Sequence, residues 1–119
     1  MSISIGARGE KEAQQWLRKR GFMILERNWR NGRYEIDIIA QHKATIHFIE
    51  VKTRHDNGWS RPEDAITESK FRSLKRAANL YLAIHKPIYR VQFDLISVVI
   101  MLDESCQIEM IENAMENRW

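Results

Sequence analysis

The stretch whose reading decides the fold runs from residue 34 to residue 54, YEIDIIAQHKATIHFIEVKTR. Tyr34 to Ala40 and Thr45 to Thr53 are rich in β-branched and aromatic residues and are separated by a short polar segment, which predicts two strands joined as a hairpin. Side chains alternate faces along a strand. Glu35 and Asp37 therefore share one face of the first arm, and Phe48, Glu50 and Lys52 share one face of the second. A turn centred between Lys43 and Ala44 places Asp37 opposite Glu50 and Glu35 opposite Lys52, with both pairs on the same face. Directly opposed residues have Cβ atoms about 4.5–5.5 Å apart, where two like charges are destabilising unless something offsets them. A divalent cation would do so. Hard cations such as Mg²⁺ take oxygen ligands and are held by one or two carboxylates together with substrate phosphates. Asp37 and Glu50 suit that chemistry, and Lys52 could orient a water or stabilise charge on a phosphate. The plainer alternative is a solvated sheet face on which Glu35 and Lys52 form an ordinary cross-strand ion pair.

Before the hairpin, Ser4 through Arg20 reads as a helix with Ala13, Trp16 and Leu17 at helical spacing and Gly21 as its stop. Glu10 lies on or beside that apolar face, where a carboxylate needs a partner; otherwise it only favours the first turns through the helix dipole. Gly6 and Gly9 each cost about 1 kcal/mol relative to alanine in a helix interior. Either the backbone approaches something closely there, or the helix starts irregularly. Phe22 to Trp29 reads as an opening strand, followed by a turn at Asn31-Gly32. Arg27, Arg30 and Arg33 around that turn could contact backbone phosphates, or be solvated surface.

After the hairpin, residues 54–61 form a polar loop at the mouth of the site. Arg54 begins it, and Trp59 could stack on an unpaired base or fold back as a lid. Pro62 opens a helical region, and a long helix starts after Thr67, a good N-cap, and runs to about His85. Phe71, Leu74, Ala77, Ala78, Tyr81 and Leu82 make its apolar stripe. Lys70 stands in the first turn, where the dipole disfavours a cation and an anionic neighbour would rationalise it. Arg72 and Arg76 share a face that could meet DNA. Pro87 ends the helix before a dense apolar strand from Tyr89 to Leu102, expected to carry a bulge, in which Asp94 reads as structural. A turn at Asp103-Glu104-Ser105 leads to a short edge strand from Gln107 to Ile111 and a polar tail.

With 119 residues, 44% apolar and 29% charged, the chain is expected to form one globular domain over residues 1–119. It contains no apolar stretch near the roughly 20 residues that span a bilayer, and Met1-Ser2-Ile3-Ser4 lacks the regions of a signal peptide, so a cytoplasmic protein without membrane partners is expected. The lone Cys106 has no internal disulfide partner, and no Cys/His spacing of the zinc type occurs. Residues 1–90 hold 18 Lys/Arg against 10 Asp/Glu, whereas residues 91–119 hold 1 against 6. Basic charge is thus concentrated on the part that carries the hairpin, as in a nucleic-acid binder.

Asp37 followed by Glu50-Val51-Lys52 on the next strand resembles the D…E-x-K core of the PD-(D/E)xK nuclease superfamily, which includes restriction endonucleases and Holliday-junction resolvases. The resemblance to the YraN family of small bacterial proteins is closer. It runs through Gly9-Glu10, Asn28-Trp29-Arg30, Glu35 to Ala40, Glu50 to Arg54, Pro62 to Ile66, Lys70 and Phe93-Asp94, in that order. Ile36 stands where the superfamily motif has proline, and Tyr34 where the family commonly has glycine.

The resemblance implies a restriction-endonuclease-like fold, α/β with three α/β/α layers around a mixed central sheet, which the order of elements also suggests. It implies a metal-dependent DNA endonuclease, with branched, Holliday-junction-like DNA as the substrate class and a homodimer if a junction is cut symmetrically. Asp37 and Glu50 would hold Mg²⁺ or Mn²⁺, Glu10 would complete the acidic cluster, Lys52 would assist catalysis, and Lys70 would point toward the site. Arg30, Arg33, Arg54, Trp59 and Arg72 are the candidate DNA contacts. The alternative is a catalytically silent nucleic-acid-binding module with the same fold.

Overall fold

The computed structural model describes residues 4–56, 66–86 and 89–114. Trp59, the helical opening at Pro62 and the stop at Pro87 lie outside them. Helix α1 spans Ile5–Lys19, and the Ser4 hydroxyl caps it by accepting from the Ala7 amide at 3.1 Å. Gly21, at φ +87°, turns the chain out of the helix into β1, Met23–Asn31. Strands β2, Tyr34–His42, and β3, Thr45–His55, form the expected hairpin. Thr67 caps α2, Glu68–His85, through the Lys70 amide at 3.1 Å, and β4, Arg90–Ile100, and β5, Cys106–Ile111, complete the chain.

The strands form one sheet in sequence order, β1-β2-β3-β4-β5. All neighbours are antiparallel except β3 and β4, which run parallel because α2 provides the crossover between them. The sheet is therefore mixed, as expected, with one helix on each face. On one face Ala13 and Leu17 of α1 pack with Ile38, Ala40, Ile49, Ile96 and Val98. On the other Leu74, Ala77, Ala78 and Tyr81 of α2 pack with Ile36, Ile39, Ile46, Phe48 and Leu95. This three-layer α/β/α arrangement is compatible with the restriction-endonuclease-like fold. Among the described residues no helix is long and apolar enough to cross a membrane.

Three local expectations are corrected. The bulge lies in β1, between Ile24 and Glu26, whereas β4 pairs with β3 without interruption from Arg90 to Ile100. A central strand with a parallel partner throughout has no room for an extra residue, while the edge strand does. The first turn is Gly32-Arg33 rather than Asn31-Gly32: Asn31 already pairs with Tyr34, and Gly32 supplies the positive φ of +61°. Glu35 pairs with Arg30 across β1–β2 at 3.1 Å rather than with Lys52.

Asp94 is structural in the way its buried position requires. It is fully buried in β4 and accepts from His47 Nδ1 at 2.5 Å, Gln92 Nε2 at 2.8 Å and the Asn113 amide at 2.9 Å. A buried carboxylate without such partners would be costly. Here it ties β3, β4 and the segment after β5 together.

Candidate functional site

The expected hairpin register holds from His42 opposite Thr45 to Ile38 opposite Ile49. Asp37 lies one position beyond, and there its Oδ2 accepts the Val51 amide at 2.8 Å. The alternation of faces breaks at the same point. Ile36 and Ile39 pack on the α2 side, whereas Ile38 and Ala40 pack on the α1 side, so strict alternation fails between 36 and 38. On β1 the residue across this break is Asn28, flanked by the pairs Arg27–Ile38 and Trp29–Ile36. Its φ of +49° is unusual for a strand but within the habit of asparagine. With its amide nitrogen toward α1, Asn28 donates to both carboxylate oxygens of Glu10 at 3.1 and 3.2 Å.

Glu10 reaches this point because its neighbour is glycine. A Cβ on Gly9 would lie 1.6 Å from the Thr53 hydroxyl oxygen, so only glycine lets α1 sit this close to β3. The close-approach reading of Gly9 is therefore the right one. Gly6 meets nothing within 4 Å of an added Cβ.

Glu10, Asp37 and Glu50 are each half-buried, while Glu35, Lys52 and Lys70 are exposed. Burial, the Asp37 charge and a hydrogen bond shared with Asp37 push the Glu10 carboxyl up to about 7. Burial, reinforced by Asp37 and Glu35, pushes Glu50 up to about 7, against the pull of Lys70 and Lys52. Asp37 is raised by burial and by Glu35, although the Val51 amide, Glu10 and Lys70 oppose the shift. All three shifts have the sign of surplus negative charge in a partly desolvated place, which the neighbouring lysines do not cancel. Such surroundings favour the protonated carboxyls.

Among the described residues no three His, Cys, Asp or Glu side chains close into a ready metal cage. Asp37 is the shared neighbour, acting on Glu10 and on Glu50 alike. Hard oxygen donors arranged so suit a cation held by one or two carboxylates and completed by water or phosphate, which is the habit of Mg²⁺.

Among the expected residues, then, Asp37 acts electrostatically on Glu10 and on Glu50, Lys70 acts on Asp37 and Glu50, and Lys52 acts on Glu50. The arginines are spread more widely. Arg30 is held by Glu35, and Arg72 by Glu68 at 3.0 Å. Arg33 lies beside α2 with Arg72 in a separate cleft. Arg54 is half-buried in β3 rather than in a loop, because β3 continues to His55. Trp59 lies outside the described residues. Asn28 and Thr53 entered the sequence reading only as members of the resembling stretches and were given no role; the local signal for Asn28 was an asparagine within a β-rich run, a residue type that tolerates positive φ.

The pattern that defines the "Uncharacterised protein family UPF0102" matches residues 9–98 of the chain, a span that includes all five of these residues. A UPF0102 protein of Syntrophomonas wolfei is 38% identical over 115 residues, covering 96% of this chain and 99% of its own length. One from Clostridium botulinum is 40% identical over 116 residues, 94% of each chain. One from Chloroherpeton thalassium is 38% identical over 104 residues, 87% of this chain and 80% of its own.

Proposed function

The chain belongs to the UPF0102 family, and from its carboxylate site we propose that it is a metal-dependent DNA endonuclease, with branched DNA as its substrate class. The observation that carries this reading is the desolvated set of Glu10, Asp37 and Glu50, each raised by burial and lacking full compensation from protein cations. A module that only bound DNA would gain nothing from carboxylates near phosphate, since they repel it.

In this reading Asp37 and Glu50 hold Mg²⁺ or Mn²⁺, with Glu10 contributing directly or through a water. The cation supplies charge stabilisation at the phosphate undergoing attack. Asp37 is oriented by the Val51 amide and Glu10 by Asn28, so the donors are fixed before substrate arrives. Lys52, two residues past Glu50 on β3, positions the attacking water or meets the charge that develops on the phosphate. Lys70 offsets the charge of Asp37 and Glu50 from the first turn of α2.

The test is cleavage of linear, single-stranded, flapped and four-way-junction DNA in Mg²⁺ or Mn²⁺ by the wild type, Glu50→Ala and Lys52→Ala, prepared identically. The wild type is expected to cut, with each variant slower by roughly a hundredfold or more while folded and still binding DNA. Absence of cutting by any of them, or equal cutting by all, would remove the catalytic reading and leave the binding module.

A further inference from the structure

Beside the carboxylate site, the start of β2 and the outer face of α2 enclose an open cleft of about 340 Å³ lined by Arg33, Tyr34, Ser69, Arg72, Ser73 and Arg76. The phenol oxygen of Tyr34 accepts from Arg33 Nη2 at 3.1 Å and from Arg76 Nη1 at 3.4 Å, which draws two guanidinium groups to one point. Like charges brought together repel, and a neutral phenol does not neutralise them. Among the described residues neither Arg33 nor Arg76 has a carboxylate partner, whereas Arg72 is paired with Glu68. Ser69 and Ser73, one helical turn apart, add hydroxyl donors to the same wall. A lining rich in cationic donors and free of carboxylates is the chemistry of an anion site, and guanidinium forks match the oxygens of a phosphate.

The place of the cleft suggests which phosphate. Tyr34 opens the strand that carries Asp37 three residues on. Ser69 is adjacent to Lys70, whose charge acts on both Asp37 and Glu50. The cleft is open, so a polymer can pass through it.

We propose that this cleft holds a backbone phosphate of the DNA strand flanking the phosphodiester at the carboxylate site, with Arg33 and Arg76 as its ligands. The assignment of the flanking strand rests on the nuclease reading, but its test does not require cleavage. Binding of a short fluorescent duplex and of a four-way junction is measured in EDTA over a range of salt concentrations. The proteins compared are the wild type, Arg33→Gln/Arg76→Gln, and Lys43→Asn, which removes a cation at the far end of the β2–β3 hairpin and suits the positive φ there. Circular dichroism confirms that each is folded. Loss of one phosphate contact is expected to reduce the slope of log K against log salt by about 0.9 and to weaken binding about tenfold at moderate salt, with Lys43→Asn unchanged. Equal slopes and affinities for the wild type and the double variant would overturn the proposal, as would failure of the wild type to bind DNA. A wild type that binds with the expected difference but cuts nothing overturns the nuclease reading alone. A wild type that cuts while the double variant keeps the full slope overturns the cleft assignment alone.

Discussion

Asp37 adds its charge to the burial that raises Glu10 and Glu50, and its hydrogen bonds join α1 to the hairpin. Replacing it with asparagine keeps an oxygen for the Val51 amide and removes the repulsion. Asp37→Asn is therefore expected to stabilise the metal-free protein above neutral pH by about 1 kcal/mol while abolishing cation binding, the usual exchange of stability against function at a charged site. Thermal melting at about pH 8 checks it, and a lower melting temperature for the variant would mean that Asp37 serves structure first. The pH dependence has a definite sign. Glu10 and Glu50 bind protons more tightly folded than unfolded, so their contribution to stability is full below about 4.5 and is lost as pH rises through about 7. Melting of the metal-free protein across that window should show the loss, and Glu50→Gln should flatten part of it. Glu50 and Lys52 share a strand face as a period of two requires, whereas Asp37 sits where the alternation breaks and the paired register ends, which that period does not foresee. Asn28 was not legible in the sequence, since its role depends on a left-handed residue within a strand turning an amide toward another element.

At the scale of elements, α1 delivers Glu10, and Gly9 sets how close α1 comes. Gly9→Ala would force the helix away from β3, at a cost of about 1–3 kcal/mol, and would displace Glu10 from Asp37. Thr53 Oγ1 is buried and has no hydrogen-bond partner among the described residues. Thr53→Ala should thus be tolerated and should recover part of the loss in the double variant, a coupling that a double-mutant cycle of melting free energies measures. Additive effects would mean that the two residues do not share this contact. The Asp94 network is a separate matter: Asp94→Ala leaves His47 and the Asn113 amide without their acceptor in a buried place and is expected to cost about 3–5 kcal/mol by chemical denaturation. The helices, the hairpin and the Thr67 cap could be read from periodicity and capping residues, which are local signals. The bulge was expected in the wrong strand, because the sequence alone does not say which strand has a continuous parallel partner. The closeness of α1 to β3 likewise appears only when both are in place, which is why Gly9 and Gly6 looked alike in sequence and behave differently.

Across the whole molecule, charge and fold agree with each other. The basic excess of residues 1–90 includes the two guanidinium groups at Tyr34 and the lysines around the carboxylates, while the acidic residues of 91–119 are spread over β4, the β4–β5 turn, β5 and the sequence that follows it. The mixed sheet lets β2 and β3 part at Asp37 while β3 remains anchored to β4 along its whole length. That gap brings carboxylates from α1 and β3 to the neighbourhood of Asp37 on β2, where the proposed divalent cation would sit. The most direct measurement is thermal melting of the wild type and Glu50→Gln at about pH 8, with Mg²⁺ or Mn²⁺ and then with EDTA. The cation is expected to raise the wild-type melting temperature, by about 2.7 kcal/mol of stability at a hundredfold excess over Kd, with EDTA reversing the rise and Glu50→Gln showing none. No rise in the wild type, or an equal rise in both proteins, would contradict a site built for a divalent cation.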